Sequence, residues 1–483
     1  MIMSASVSRS TPARFVALAL APACLLGSTI ALADDEVALL REQLARQQVL
    51  INSQELRLKD QEAKLAELLR RLSPTTAPAL GPVVAASNAS ESSTSVAAPE
   101  SAVVSPARPV VHSRFDGIDV TLAGALRTTV TSTSARMQPD ATPFLVLPKT
   151  PGAAGTTKID SRLSSLLVSI KGAQVGDFKL GGSIYAYLFN GDLFSGSYGF
   201  YPGFAYIDAT SEQWRFAVGL QQDVFSPLMP SMVDRMSALA GSGNPGNSFK
   251  PQLRVERFFK DGDDAWVVQG ALADAVPTNI NPNGLLSSTE NTGTPNVEGR
   301  LAWTRGDAQH DAAWLPWPRY ALGVSGVYGS IRTFSATGLF PTYQNHLNGM
   351  SLEGQWRLGT RFGFQGELYQ GSSLGTYLAT VFQTVNQQTH ASIGSRGGWG
   401  EVAYYWSPTV HTHGGYGIDK ASISDLAGVG VHSMQTAFTN LYWDPSAKTT
   451  LGMELTWRRT GYLLPIEGQP SGYALMLSSE LRF

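Results

Sequence analysis

Arginine is the residue type whose placement speaks most directly to chemistry in this chain. Arg254, Arg300, Arg357 and Arg361 fall on the polar parity of alternating segments. A guanidinium offers a rigid fork of donors that matches carboxylate and phosphate. The pairs Arg254/Arg300 and Arg357/Arg361 are therefore the candidate contacts for an anionic solute, each pair expected on adjoining strands. Arg127, Arg162, Arg215, Arg458 and Arg482 share that parity. So do Asp208, Glu256, Glu298, Glu353, Glu367, Glu401, Glu454 and Glu480, which can neutralise the cations as ladders between strands. Asp234 and Arg235 add a charged pair inside a long apolar segment that also holds Phe225, Leu228, Met229, Met232 and Met236. His411 and His413 share one face of a strand, as metal ligands do, but no third ligand stands near them in sequence, so no metal is expected. Nucleophile elbow, HExxH and phosphate-cradling loop are all missing. Ser and His are present, but no spacing marks the pair a lipid hydrolase needs. The expectation is a non-enzyme with no catalytic residue and no cofactor.

The elements that position these side chains repeat every second residue. Trp214, Phe216, Val218 and Leu220 alternate with Arg215, Ala217, Gly219 and Gln221; Leu451, Met453, Leu455 and Trp457 alternate with Thr450, Gly452, Glu454 and Arg458. A soluble antiparallel sheet alternates too. Here, however, the second face mixes Gly, Ser, Ala and Gln with charge, and aromatics such as Trp266, Trp303, Trp406 and Trp443 sit near segment ends. That is the pattern of a lipid-facing band between aromatic girdles, and it sends the charged parity inward. From Phe115 onward we count sixteen such strands, the second beginning near Ile159 and the fourth near Gly203. The connections alternate between long and tight, with residues 306–318 breaking the rule. Long outer loops and short periplasmic turns are the habit of outer-membrane barrels. The predicted fold class is all-β: a 16-stranded transmembrane antiparallel β-barrel preceded by a periplasmic α-helical coiled coil. A barrel of sixteen strands encloses a water-filled lumen, so a diffusion pore is the first expectation. The third outer loop, residues 223–248, is too apolar for open water. It either folds into the lumen and narrows it or packs against a neighbouring protomer.

The 483 residues carry 43% hydrophobic and 15% charged side chains, with a formal net charge of -2. No basic excess favours nucleic acid. Arg9 and Arg14, the apolar stretch 15–33 and Ala31-Leu32-Ala33 read as a secretory signal peptide over residues 1–33. Its removal takes the single cysteine, Cys24, and with it any thiol chemistry. Residues 34–72 hold apolar residues at every seventh position: Val37, Leu44, Ile51, Leu58, Leu65 and Leu72. Such a seam predicts a self-associating helical rod about 50 Å long. Spacing alone does not separate dimer from trimer. Residues 73–113, rich in Ser, Pro and Ala, read as a flexible linker, and 114–483 as the barrel.

The last strand alternates Tyr473, Leu475, Leu477, Ser479, Leu481 and Phe483. A final aromatic of this kind resembles the assembly signal of bacterial outer-membrane barrels, which implies the barrel-assembly machinery as a partner. The order of signal, heptad rod, linker and barrel resembles the DcaP-like outer-membrane porins of Gram-negative bacteria. The likeness lies in Ile159-Asp160-Ser161-Arg162-Leu163, Gly176-Asp177-Phe178-Lys179-Leu180, the hairpin of residues 205–220 and Pro251-Gln252-Leu253-Arg254-Val255. The resemblance implies a homotrimer in outer-membrane lipid and lipopolysaccharide, a periplasmic coiled coil, and passage of small anionic solutes such as dicarboxylates. Peptidoglycan or a periplasmic protein is the partner the rod would reach. The competing expectation is a plugged barrel that anchors the rod to the envelope.

Overall fold

A computed structural model describes residues 111–115, 118–150, 152, 154–190, 197–246, 248–274, 290–291, 294–333, 343–386, 388–463 and 468–483. The signal peptide, the heptad seam at Val37, Leu44, Ile51, Leu58, Leu65 and Leu72, and nearly all of the linker lie outside the described residues. Sixteen strands form the barrel wall. They are β1 (Ile118–Thr133), β2 (Ser165–Val175), β3 (Phe178–Phe189), β4 (Tyr198–Thr210), β5 (Trp214–Gln222), β6 (Phe249–Asp261), β7 (Asp264–Ala273) and β8 (Asn296–Arg305). There follow β9 (Tyr320–Thr333), β10 (Tyr343–Leu358), β11 (Phe362–Ser372), β12 (Gly394–Ser407), β13 (Val410–Ala421), β14 (Val431–Ser446), β15 (Thr449–Tyr462) and β16 (Ser471–Arg482). Each pairs antiparallel with the next, and β16 returns to β1 with Ala125 opposite Arg482 and Thr133 opposite Ala474. Closure leaves no open sheet edge, the condition for a sheet in lipid.

The alternation expected from sequence sets the two faces. On β15, Leu451, Met453 and Leu455 are exposed on the outer wall, while Glu454, Thr456 and Arg458 are buried within. On β10 and β11, Trp356, Leu358, Phe364 and Leu368 face out and Arg357, Gln365 and Glu367 face in. Two strand starts differ from the sequence reading by five residues or more. The second strand begins at Ser165, because the Asp160 carboxylate takes the Arg162 backbone N–H at 2.7 Å and its Nε at 2.7 Å, turning the chain out of the ladder. Thr157–Asp160 remains a short strand on the upper part of β1. The fourth begins earlier, at Tyr198, and accommodates Pro202 at a register shift opposite Tyr185 and Ala186. A proline inside a strand is tolerated at such a bulge and obscures the strand in sequence.

Periplasmic turns are tight where glycine permits it: Gly262 (φ 57°) and Gly359 (φ 64°) take the left-handed conformation with open space around them. The long connection 306–319 instead folds back inside. Leu315 and Trp317 are buried against Ala403 and Tyr405 of β12. The backbone N–H groups of Trp314 and Leu315 donate to Thr360 O at 2.9 and 3.1 Å. One more strand, Val111–Phe115, pairs with β1 at Ile118–Leu122, so Val111–Ser113 continue the sheet rather than the linker. It occupies the same edge of β1 that β16 uses further up. Between the two, Phe483 and Gly124 exchange backbone hydrogen bonds at 3.0 Å. A Cβ on Gly124 would lie 2.7 Å from the Phe483 ring, so the glycine makes room for it.

Candidate functional site: the lumen and its infolded loops

The third loop, 223–248, lies inside the barrel. Phe225, Val233 and Leu239 are fully buried, and Met232 is 1% exposed. A loop buried this way must satisfy its own amides, and the wall supplies the acceptors strand by strand. Val224 N–H donates to Glu298 on β8 at 3.1 Å. Ser226 Oγ and Leu228 N–H both donate to Glu367 on β11 at 2.9 Å. Ser231 N–H reaches Glu401 on β12 at 2.7 Å, and Val233 N–H reaches Glu454 on β15 at 2.7 Å. The loop thus runs along the wall from β8 round to β15. The four glutamates are each no more than 2% exposed. In sequence these acids read as partners of arginines. Each instead accepts a backbone amide of loop 3, and among the described residues none of the four pairs with an arginine.

The neck of the loop is tied by Lys250 of β6. Its ammonium is buried, pairs with Asp223, meets Ser248 Oγ, and stands 3.5 Å from the Tyr377 ring centroid. Tyr377 belongs to the sixth loop, 373–393, which also folds inward; its hydroxyl donates to Glu298 at 2.8 Å. Phe144 and Leu145 of the first loop, Ala240 of the third, Val381 and Phe382 of the sixth and Leu426 of the seventh form one apolar cluster at the outer end. Lys250→Met is expected to destabilise the barrel by about 3–5 kcal/mol, because it leaves Asp223 a buried, unpaired carboxylate. Heat-modifiability on gels would show a lowered unfolding midpoint, and adding Asp223→Asn should recover much of it. An unmoved midpoint in the single variant would refute this role.

The candidate residues from sequence are placed as follows. Arg254 pairs with Glu256 at 2.6 Å and donates to Gln222 O at 3.1 Å. Arg300 lies on β8, with β7 between it and the strand of Arg254, so these two are not on adjoining strands. Gln269 of β7 bridges them, donating to Glu256 at 2.7 Å and accepting from Arg300 at 2.6 Å. Arg300 also donates to Glu353 at 2.9 Å. Arg215 enters the same ladder through Asp208 at 3.0 Å and Glu256 at 3.3 Å. Arg357 and Arg361 serve the inward turn: Arg357 donates to Trp317 O at 2.8 Å and pairs with Asp311, and Arg361 stacks 4.0 Å over Trp314. Hydrogen bonds from Arg357 and Arg319 hold the Asp311 carboxyl below its ordinary range. Asp234 pairs with Arg458 at 3.1 Å.

Arg235 is placed differently. Its guanidinium is 3.2 Å from Glu480, which also takes Arg127 at 3.1 Å and Arg482 at 2.8 Å. Three cations share one carboxylate, so two positive charges are left over. The Arg235 side chain is 38% exposed, against 4% for Arg127 and 18% for Arg482. Of this group, it is the cation most open to the lumen.

The histidines form a chain that sequence alone did not reveal. His411 Nδ1 and His413 Nε2 are 2.9 Å apart; their outer nitrogens meet Asp444 at 3.1 Å and Glu401 at 2.7 Å. Glu401 is the acceptor for Ser231, so the chain ends on loop 3. The two carboxylates come from β12 and β14, which only the register of the closed sheet brings to β13.

No family model and no curated protein matches the chain. Solved structures do. The outer membrane channel DcaP of Acinetobacter baumannii superposes with a TM-score of 0.59 at 15% identity, over 77% of this chain and 99% of that one. The anion-selective porin from Comamonas acidovorans gives 0.47 at 12% identity, over 76% of this chain and 100% of that one. OmpF of Salmonella typhi, in complex with daunomycin, gives 0.48 at 10% identity, over 77% and 100%. The chain has the fold of an outer-membrane channel, a closed sixteen-stranded antiparallel β-barrel whose third loop lines the inside of the wall.

Proposed function

We propose that this protein is an outer-membrane porin through which small hydrophilic solutes bearing carboxylate or phosphate groups diffuse passively. The observation that carries the reading is the surplus of two positive charges where Arg127, Arg235 and Arg482 share Glu480. That surplus sits where loop 3 meets the wall, and the third-loop cation is the open one. Arg235 is the first contact for an anion entering the narrowed lumen; Arg254 and Arg215, on the wall that loop 3 leaves uncovered, form the second. Preorganised guanidiniums recognise anions without reorganising. The heptad residues 34–72 would hold a homotrimer in the periplasm, and the strand ending at Phe483 would be read by the assembly machinery.

The test is reconstitution of the purified protein in a planar bilayer under a salt gradient. Stepwise conductance with a reversal potential of anionic sign is the expected result. Cation preference would keep the pore and refute the solute class. The apolar cluster of the first, third, sixth and seventh loops favours a second reading, a plugged barrel anchoring a periplasmic rod. Electrical silence from correctly folded trimers would select it.

A further inference from the structure

The outer wall carries a groove of about 560 Å³ across β9 to β13. Its sides are Val324, Met350, Leu352, Leu368 and Ile418, and its floor is Gly398. Glycine makes the groove: a Cβ on Gly398 would lie 2.5 Å from Leu368 Cδ2. Below it Gly366 stands opposite Gly400, so β12 lacks a side chain at two successive outward positions. At the loop end of the groove stand Arg396 and Lys420, directly opposite one another on β12 and β13, and both exposed. Like charges in directly opposed positions destabilise a sheet. Among the described residues neither forms an ion pair. Gln370 is the neighbour of Arg396 on β11, His432 lies beside Lys420, and Asp425 at the same rim accepts the Gly394 N–H at 2.9 Å.

A cation on the outward face is costly at the membrane midplane and nearly free at the headgroup level. Arg396 is the third residue of β12, and Lys420 is next to the last of β13, so both stand at the outer rim. A cationic pair at headgroup height above an apolar groove fits one kind of molecule. We infer that the groove holds an acyl chain of a phosphate-bearing lipid of the outer leaflet, with its phosphate between Arg396 and Lys420. The guanidinium fork takes two phosphate oxygens and the ammonium a third. The site depends on the barrel fold and the orientation of its loops, and stands whether or not the lumen conducts.

Native mass spectrometry of the full chain in mild detergent tests it, with bisphosphorylated lipid A as the probe. The same glycolipid stripped of phosphate, and inorganic phosphate alone, serve as comparisons. Bound lipid A should survive activation, and both comparisons should bind at least tenfold more weakly, the order expected for losing a charge-assisted pair. Arg396→Gln with Lys420→Gln should lower retention by a similar factor. Ile418→Trp fills the groove from a position that already faces lipid and should lower it with both cations intact. Arg257→Gln, an outward cation on β6 away from the groove, should leave retention unchanged. Equal retention in the double variant, or equal binding of dephosphorylated lipid, would overturn the proposal. Loss of the oligomer in Ile418→Trp would also overturn it and assign the groove to a second copy of the chain.

Discussion

Replacing Glu367 and Glu454 together by alanine is expected to raise single-channel conductance severalfold and to weaken ion discrimination. Glu367 accepts Ser226 Oγ and Leu228 N–H, and also Trp399 Nε1 at 3.1 Å. Glu454 accepts Val233 N–H at 2.7 Å, Asp234 N–H at 3.3 Å and Asn440 Nδ2 at 3.2 Å. A hydrogen bond contributes about 0.5–1.5 kcal/mol net, and a buried donor left without its partner costs about 1–3 kcal/mol. The double variant therefore removes four tethers of loop 3 and leaves its amides seeking water. The loop should move off the wall and widen the passage. The barrel itself is held by backbone ladders and should persist. Glu367→Gln with Glu454→Gln keeps an acceptor oxygen at each site and should show a smaller change. Bilayer recordings and protease cleavage within residues 223–248 read the outcome. Unchanged conductance with an uncleaved loop would show that the apolar contacts of Phe225, Met232 and Leu239 suffice to hold it.

Arg235→Glu is expected to abolish the preference for anions. The group around Glu480 changes from three cations and one anion to two of each, so its surplus falls from two charges to none. A unit charge at 4 Å is worth about 1 kcal/mol even in bulk water, or roughly a fivefold change in local ion concentration. Two such steps cancel the surplus, and the remaining wall charges are paired. Arg235→Gln should fall halfway. The effect should shrink as ionic strength rises, because screening shortens to about 3 Å at 1 M salt. Reversal potentials under a salt gradient give the measurement. If the Glu variant keeps the parent potential, the discriminating charge lies elsewhere, with Arg254 and Arg215 the next to replace.

The wall was readable because lipid imposes a two-residue period on every strand. Trp214, Phe216, Val218, Leu451, Met453 and Leu455, on the apolar parity in sequence, are the residues the wall exposes. Reading failed where local side chains compete with the ladder, as Asp160 does, or where a bulge hides a strand, as at Pro202. The burial of loop 3 followed from its apolar residues. The purpose of the wall acids did not, since an inward glutamate looks the same whether it faces an arginine or a loop amide. One clue existed in the register: Glu353 stands directly opposite Glu367, an arrangement that needs other partners to be stable. Arg300 answers the first and loop 3 the second. The histidine chain was invisible for the same reason, because Glu401 and Asp444 reach β13 only through strand pairing.

The shared edge of β1 has a consequence for how the cylinder is sized. Strand β16 covers Ala125–Thr133, Phe483 covers Gly124, and Val111 takes over at Leu122. A β-strand can slide past its neighbour and keep its faces only in steps of two residues. One such step of β16 toward the periplasm would drive Phe483 into the place already held by Val111. The strand Val111–Phe115 therefore acts as a mechanical stop. It sets the stagger at the seam, and in a closed barrel the stagger together with the strand number sets the diameter. A segment of five residues outside the wall thus gauges the bore of the whole.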